Sequence, residues 1–183
     1  SYPDMVERID DVCEFGNKAV MLNMLLLEND LRAIIDYAHK KNLLVFGHFV
    51  LQGAYSERIS NYVLQKLARI LGFDLIHLKS CIGKLREGIL KSMYYKEALT
   101  SRHIPESLFL GILEQEIPLK PALPVIWGGT HPGQIEAIRD VYGFEIAIQA
   151  GGSIHGHPLG SYGGARAWRE SFDACLSGIP IEK

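Results

Sequence analysis

The chain is poor in cysteine and carries no excess of charge of either sign. Its three cysteines, Cys13, Cys81 and Cys175, are far apart and odd in number, so we expect reduced thiols in a cytoplasmic protein. A formal net charge of -2 leaves no basic excess of the kind that binds nucleic acid. Nucleic acid is therefore not an expected partner.

Long apolar runs and clustered carboxylates are also missing. No segment approaches the length of a membrane span, and the first residues, SYPDMVERIDD, are too acidic for a secretory signal. We expect a globular protein without membrane contact, organised as a single domain over residues 1–183. No carboxylate cluster of the type that magnesium prefers lies at a predicted strand end, so we predict no metal ligand and no cofactor held by this chain alone.

Short apolar runs alternate with longer amphipathic stretches, which is typical of βα units around a parallel sheet. Five runs are predicted to be strands: KAVMLNMLL (18–26), NLLVFGHF (42–49), DLIHLKS (74–80), LPVIWGG (123–129) and FEIAIQAGG (144–152). A closed barrel of such units needs eight strands. We therefore predict an α/β fold, an incomplete TIM-type (β/α) barrel, whose open edges imply self-association, a second chain or a missing segment that supplies the other strands.

The segments that connect the strands are predicted to be helical, and one of these helices begins at Pro132 and closes near Gly143. Two other segments carry more detailed predictions. The first is capped by Ser56 and ends at Gly72, and its apolar residues recur at helical spacing. These residues are Ile59, Val63, Leu67 and Ile70. The second segment, 86–119, is longer than one connection requires and is predicted to hold two helices broken near Pro105.

The run QAGGSIHGHPLGSYGGARAWRESFDA (149–174) joins a predicted strand to a glycine pair and then to a helix. Gly151 and Gly152 allow backbone N–H groups to approach an anion, and the N-terminus of a helix adds the positive end of its dipole. Phosphate often binds to the loops after the last strands of a (β/α) barrel. An ordinary corner in the chain explains the glycines equally well.

Three polar residues at predicted strand ends and loop tips are candidates for chemistry. His48 ends the second predicted strand and His77 lies in the third, where each can act as a general acid or base or donate to phosphate. A hydrogen-bonded core or rim histidine is the commoner alternative. Lys84 lies in a Gly-Lys turn, where a solvated lysine is the usual interpretation.

Three segments occur in this order: DLIHLKSCIGKL (74–85), LPVIWGGTHPGQIEAI (123–138) and QAGGSIHGHPLGSYGGARAWRESFDAC (149–175). Together they resemble the C-terminal part of a RuBisCO large chain, and most closely the RuBisCO-like proteins called form IV. The similarity extends from about Met5 to Gly178. In that family the matching region spans the fourth to eighth strands of the barrel, which agrees with the five predicted strands.

The resemblance implies catalytic roles for His48, His77 and Lys84. His48 matches an active-site histidine at the end of strand five, and His77 matches the strand-six histidine beside a substrate phosphate. Lys84 matches the lysine of the mobile sixth loop, which closes over the substrate in true carboxylases. Two glycine pairs of the family match Gly128-Gly129 and Gly151-Gly152 in this sequence, and both pairs are expected to bind phosphate.

Three residues depart from the family pattern. Phe49 replaces an arginine that clamps a phosphate, Gln52 replaces a second histidine, and Trp127 replaces a serine before the strand-seven glycines. The lysine that becomes carbamylated and the acids that bind magnesium belong to the family's second strand, which the 183 residues do not include. The resemblance thus implies that Mg²⁺ is possible only if a partner or missing segment supplies its ligands.

These observations predict a RuBisCO-like protein with a retained phosphate-binding face. We expect part of an enolase- or isomerase-type enzyme that acts on a phosphorylated sugar or keto compound, and not a competent ribulose-bisphosphate carboxylase by itself. The alternative is a non-catalytic module that binds a phosphate ligand or serves assembly. Phe49 and Trp127 favour this alternative, because both are expected to bring apolar surface to a face that is polar in an enzyme.

Overall fold

A computed structural model describes residues 1–25, 30–55, 58–84, 87–104, 106 and 117–181. Within these residues five short strands alternate with helices. The strands are β1 (Ala19–Asn23), β2 (Leu44–His48), β3 (Leu75–Leu78), β4 (Leu123–Trp127) and β5 (Ala147–Gln149). The helices are α1 (Tyr2–Glu14), α2 (Leu31–Lys40), α3 (Gln52–Tyr55), α4 (Asn61–Leu71), α5 (Ile89–Thr100), α6 (Ile135–Tyr142), α7 (Gly151–His155) and α8 (Gly160–Leu176). A 3₁₀ turn, Pro132–Gln134, precedes α6.

The strands belong to one sheet in the order β1-β2-β3-β4-β5. The pairs β1 with β2, β2 with β3 and β4 with β5 are parallel. Strands that follow chain order are those of a (β/α) barrel segment, whereas a doubly wound sheet reverses its order at a switch point. The predicted α/β fold, an incomplete barrel of five parallel strands, is confirmed.

The fifth predicted strand extends too far. β5 ends at Gln149, and Gly151 and Gly152 form the first turn of α7 instead of the end of a strand. The hydroxyl of Ser153 donates a hydrogen bond of 3.1 Å to the Ala150 carbonyl, which supports this helical turn. Glycine contributes no side chain to a sheet, so two successive glycines end the strand early.

Helix α4 exists as predicted, but its apolar spacing does not mark its buried face. The four apolar residues on that spacing are 38 to 53% exposed: Ile59, Val63, Leu67 and Ile70. The buried side instead includes Gln65 and Arg69, whose polar groups reach backbone carbonyls. Gln65 donates to the His77 carbonyl at 3.3 Å, and Arg69 donates to the carbonyls of Leu119 at 2.9 Å and Lys120 at 3.1 Å.

The N-terminal cap of α4 differs from the prediction. Ser60 is the capping residue, and its hydroxyl accepts a hydrogen bond of 3.3 Å from the Tyr62 amide. The predicted cap, Ser56, lies outside the described residues, as does Pro105. One of the two helices predicted over 86–119 is α5, and most of the second lies outside the described residues.

The chain divides into two compact units. The first unit consists of residues 1–77 and 97–124, and the second consists of residues 78–96 and 125–183. A single barrel can contain two such units, so one domain over residues 1–183 stays a prediction. Among the described helices, none combines the length and the apolar character that crossing a membrane requires.

Asp74 joins several segments of the first unit through polar contacts. Its carboxylate, 9% exposed, accepts hydrogen bonds from the Val45 amide at 2.8 Å, from His39 at 2.9 Å and from Lys120 at 2.6 Å. Burial alone would raise the pKa of Asp74, but hydrogen bonds from Lys120, Val45 and His39 outweigh it and lower the pKa below its usual value. The charged carboxylate therefore joins α2, β2 and the segment before β4.

Candidate functional site

The two predicted histidines are neighbours in the first unit. His48 is the last residue of β2, and His77 lies in β3 one position beyond the paired residues Gly47 and Ile76. Their ring centroids are 4.5 Å apart with the planes tilted by 58°. Parallel pairing therefore brings both imidazoles together, and we call His48 and His77 the histidine pair.

His77 is enclosed by aromatic rings. Its side chain is completely buried, and its ring lies edge-on to Phe46 at 4.9 Å and to Phe49 at 6.4 Å. The Phe49 amide points at Nδ1 of His77 across 3.5 Å, at the upper limit for a hydrogen bond. An imidazole that accepts at Nδ1 carries its proton on Nε2. A ligand could reach this ring only after the surrounding side chains moved, and a catalytic role stays a prediction.

His48 is half-buried and lies nearer to solvent. Burial lowers the pKa of its imidazole below the usual 6.5, because a low-dielectric environment disfavours the charged form. The neutral ring is therefore favoured at neutral pH. A neutral imidazole is the form that can accept a proton from a substrate.

Phe49 and Gln52, two of the departures from the family pattern, are core residues. Phe49 is 1% exposed, so the expectation that it brings apolar surface to a polar face is wrong. Its ring packs beside His77, with the ring centroids 6.4 Å apart. Gln52 is 4% exposed and donates to the Asn61 side chain at 2.7 Å, while its own Oε1 has no hydrogen-bond partner within the described part of the chain.

Lys84 and the first glycine pair meet in the second unit through their backbones. The Lys84 amide donates a hydrogen bond of 2.5 Å to the Gly128 carbonyl. A Cβ on Gly83 would lie 2.6 Å from the Gly128 oxygen, and a Cβ on Gly129 would lie 2.9 Å from the Lys84 Cβ. We call this contact between residues 83–84 and 128–129 the turn contact.

Only glycine fits the turn contact easily. The φ angles are +100° at Gly83, +84° at Gly128 and +78° at Gly129, in the left-handed region that residues with a Cβ seldom occupy. The Lys84 side chain itself is exposed. The backbone therefore fixes where the lysine begins, and its ammonium group remains accessible to a ligand.

The second predicted glycine pair has different surroundings. Gly151 and Gly152 are exposed, and an added Cβ on either would meet no described atom within 4 Å. Neither has a positive φ. The space beside them is open, as an anion would require, but their backbone conformation does not demand glycine. Trp127, the third departure, is half-buried at the end of β4 and pairs in register with Gln149.

The absence of a magnesium ligand on this chain stays a prediction. Among them, no three side chains of histidine, cysteine, aspartate or glutamate come together in a metal-binding group. Hard cations such as Mg²⁺ need several oxygen ligands.

Sequence reasoning missed Tyr142, whose hydroxyl contacts the start of the segment that carries Lys84. Tyr142 closes the predicted helix before Gly143 and looks like an ordinary apolar residue there. A usable signal existed, because a buried tyrosine hydroxyl usually needs a hydrogen-bond partner.

Comparisons with known proteins agree with this architecture. The family model described as "Ribulose bisphosphate carboxylase large chain, catalytic domain" matches residues 1–183. A ribulose bisphosphate carboxylase of Archaeoglobus fulgidus is 35% identical over 192 residues, which cover 98% of this chain and 43% of that protein. The chain thus spans less than half the length of this curated relative.

Solved structures show the same likeness. The crystal structure of an archaeal RuBisCO superposes with a TM-score of 0.86 at 32% identity, covering 98% of this chain and 43% of that one. A dimeric archaeal RuBisCO from Hyperthermus butylicus superposes with a TM-score of 0.83 at 30% identity, covering 95% and 42%. Sequence and backbone therefore point to the same relatives over nearly the whole chain.

Proposed function

The chain belongs to the family of ribulose bisphosphate carboxylase large chains, and we propose that it supplies the phosphate-binding face and loop lysine of an enzyme acting on a phosphorylated sugar or keto compound. The turn contact is the observation that carries this proposal. It holds the backbone of Lys84 against Gly128 and Gly129, at positions where any residue but glycine would be strained.

The chemistry of this contact suits a phosphate group. An exposed ammonium group is a point charge that pairs well with phosphate oxygens, and glycine-rich backbone turns present N–H groups to anions. The open space at Gly151 and Gly152 supports a second anion position. The curated relative's name specifies ribulose bisphosphate, a sugar with two phosphates, so we take this compound as the probe.

The proposed reaction class is enolisation or isomerisation, in which a proton is removed next to a carbonyl group. His48 is the proposed base, since burial favours its neutral form. His77, buried beside it, is proposed to take part in the same proton transfer. Magnesium would stabilise the developing oxyanion. In this proposal its ligands come from a second chain or a segment outside the 183 residues, which by themselves would not be a competent carboxylase.

Self-association or a second chain is the proposed means of completing the barrel, and the dimeric state of the Hyperthermus butylicus protein supports self-association. Assignment to form IV is also a proposal, supported by Phe49 and Gln52 at the positions of the family's arginine and histidine. The alternative of a non-catalytic binding or assembly module loses Phe49 as support, because that side chain is buried, and retains only Trp127.

Thermal unfolding with ribulose bisphosphate and with inorganic phosphate tests the proposal. A ligand at about 100 times its Kd stabilises the native state by about 2.7 kcal/mol, which shifts Tm measurably. We expect this shift for the wild-type chain and its loss in Lys84→Ala and Gly152→Asp. Gly88→Asp is the matched control, since Gly88 is exposed and an added Cβ would meet no described atom within 4 Å. Absence of a shift in the wild type, or a full shift in both site variants, would overturn the proposal.

A further inference from the structure

Residues 79–84, which follow β3, are the described part of a loop that leads to Glu87. The Glu87 amide donates to the Ser80 carbonyl at 3.0 Å, and the Glu87 carboxylate pairs with the Lys79 ammonium at 3.3 Å. At the tip, the Lys84 amide donates to the Gly128 carbonyl. Different interactions therefore hold residues 79–80 and Lys84.

Tyr142 contacts the first residues of this loop, Ser80 and Cys81, through its hydroxyl group. Its side chain is completely buried, and its hydroxyl oxygen accepts a hydrogen bond of 3.0 Å from the Cys81 amide. The same oxygen lies 3.0 Å from the hydroxyl of Ser80, which is itself 2% exposed, and 3.3 Å from the Cys81 sulfur. The Ser80 hydroxyl in turn accepts the Ile82 amide at 3.0 Å. One phenol thus organises three successive residues of the loop.

Protonation of the phenol fits this arrangement. Burial raises the pKa of the Tyr142 hydroxyl, so it keeps its proton at neutral pH. A hydroxyl that accepts from the Cys81 amide can donate its own proton to Ser80. The side chain of Ser92 also hydrogen-bonds to it. Phenylalanine would fill the same volume but would leave the partly buried Cys81 amide and the buried Ser80 hydroxyl without this partner, which is costly.

We propose that Tyr142 is a positioning residue for Lys84: its hydroxyl fixes the first turn of the loop and thereby holds the Lys84 amide against the Gly128 carbonyl. Lys84 is three residues beyond Cys81. If the backbone at Ser80 and Cys81 is free to rotate, the position of the Lys84 backbone changes with it. The link to ligand binding rests on the proposed function, whereas the link between Tyr142 and the loop tip does not.

Hydrogen exchange of single amides, followed by NMR, tests the positioning role. Tyr142→Phe is expected to speed exchange of the Lys84 amide by about tenfold, the size of effect of one lost hydrogen bond. A merely structural role would speed exchange of the Cys81 amide, the direct partner, and leave Lys84 unchanged, which would overturn the proposal. Tyr37→Phe is the matched control, because it removes a hydroxyl that is hydrogen-bonded to Asp10 at 2.9 Å and should not affect Lys84.

A second variant and a binding measurement complete the test. Ser80→Ala removes the hydroxyl that contacts Tyr142 and should also speed exchange of the Lys84 amide. This variant keeps the test available if Tyr142→Phe does not fold. Affinity for ribulose bisphosphate should fall in Tyr142→Phe but show no further fall when Lys84→Ala is already present. Equal losses in both backgrounds would contradict positioning through Lys84. If the wild type does not bind the probe, the proposed function fails, and amide exchange alone decides the positioning role.

Discussion

The histidine pair and the turn contact are built from different parts of the chain. The histidine pair depends on side chains, because two imidazoles lie 4.5 Å apart among the rings of Phe46 and Phe49. The turn contact depends on the backbone, because a Lys84 amide meets a Gly128 carbonyl between residues with positive φ. Both contain residues to which the family resemblance assigns a role in the active site.

This difference affects how far a family role can be transferred. At the turn contact the positive φ angles favour glycine, so a glycine at the same position of a relative indicates the same backbone conformation. At the histidine pair the role of each ring depends on its neighbours. The resemblance implies an arginine at the position of Phe49, whose ring lies against a fully buried His77. A matching histidine therefore says less about function than a matching glycine turn.

Removing the Phe49 ring should cause the largest loss of stability among the substitutions considered for the histidine pair and the turn contact. Phe49→Ala leaves a cavity beside His77, and we expect the free energy of unfolding in urea to fall by about 3–4 kcal/mol. Val50→Ala is the neighbouring control, since Val50 is 38% exposed and should cost far less. Similar small losses for both variants would mean that Phe49 does not support the histidine pair.

The turn contact should be sensitive to a single added methyl group. Gly129→Ala places a Cβ on a residue with φ +78°, only 2.9 Å from the Lys84 Cβ. We expect the free energy of unfolding to fall by about 2 kcal/mol and phosphate affinity to fall with it, because the lysine must shift.

Gly152→Ala is the matched control for this substitution. Gly152 belongs to the other predicted glycine pair, has no positive φ and has open space around it. Its replacement should change unfolding by less than about 0.5 kcal/mol. Equal effects at Gly129 and Gly152 would show that backbone strain does not distinguish the two pairs.

Backbone-determined features were the ones that the sequence could predict. The sequence locates five strands because short apolar runs between helices have few other uses. It places His48 and His77 in or at the end of strands, and the structure adds that the two rings are neighbours. The family resemblance pointed to Gly128 and Gly129, but the contact with Lys84 is a tertiary one that spacing along the chain does not contain.

Features that depend on which side of an element is covered were not predictable. The apolar spacing of α4 suggests a buried stripe that includes Val63, yet the structure buries Gln65 and Arg69 because they satisfy backbone carbonyls from other segments. The partners of those side chains are distant in sequence. The burial of Phe49 and the contacts of the Tyr142 hydroxyl also depend on residues distant in sequence, so the sequence did not predict them.

The smallest expected effect is a change in how stability depends on pH, and it concerns His48 of the histidine pair. Burial lowers the pKa of His48 in the folded state below its usual 6.5, so the unfolded chain binds this proton more readily. Stability should therefore rise with pH from the folded pKa up to 6.5 and be unaffected by this group above it. His48→Gln should remove that part of the dependence in urea unfolding curves recorded from acid to neutral pH. His103→Gln, at an exposed position of the same unit, should keep the wild-type dependence. An unchanged profile in His48→Gln would mean that burial does not control His48, and would leave it no better suited than other histidines to accept a proton.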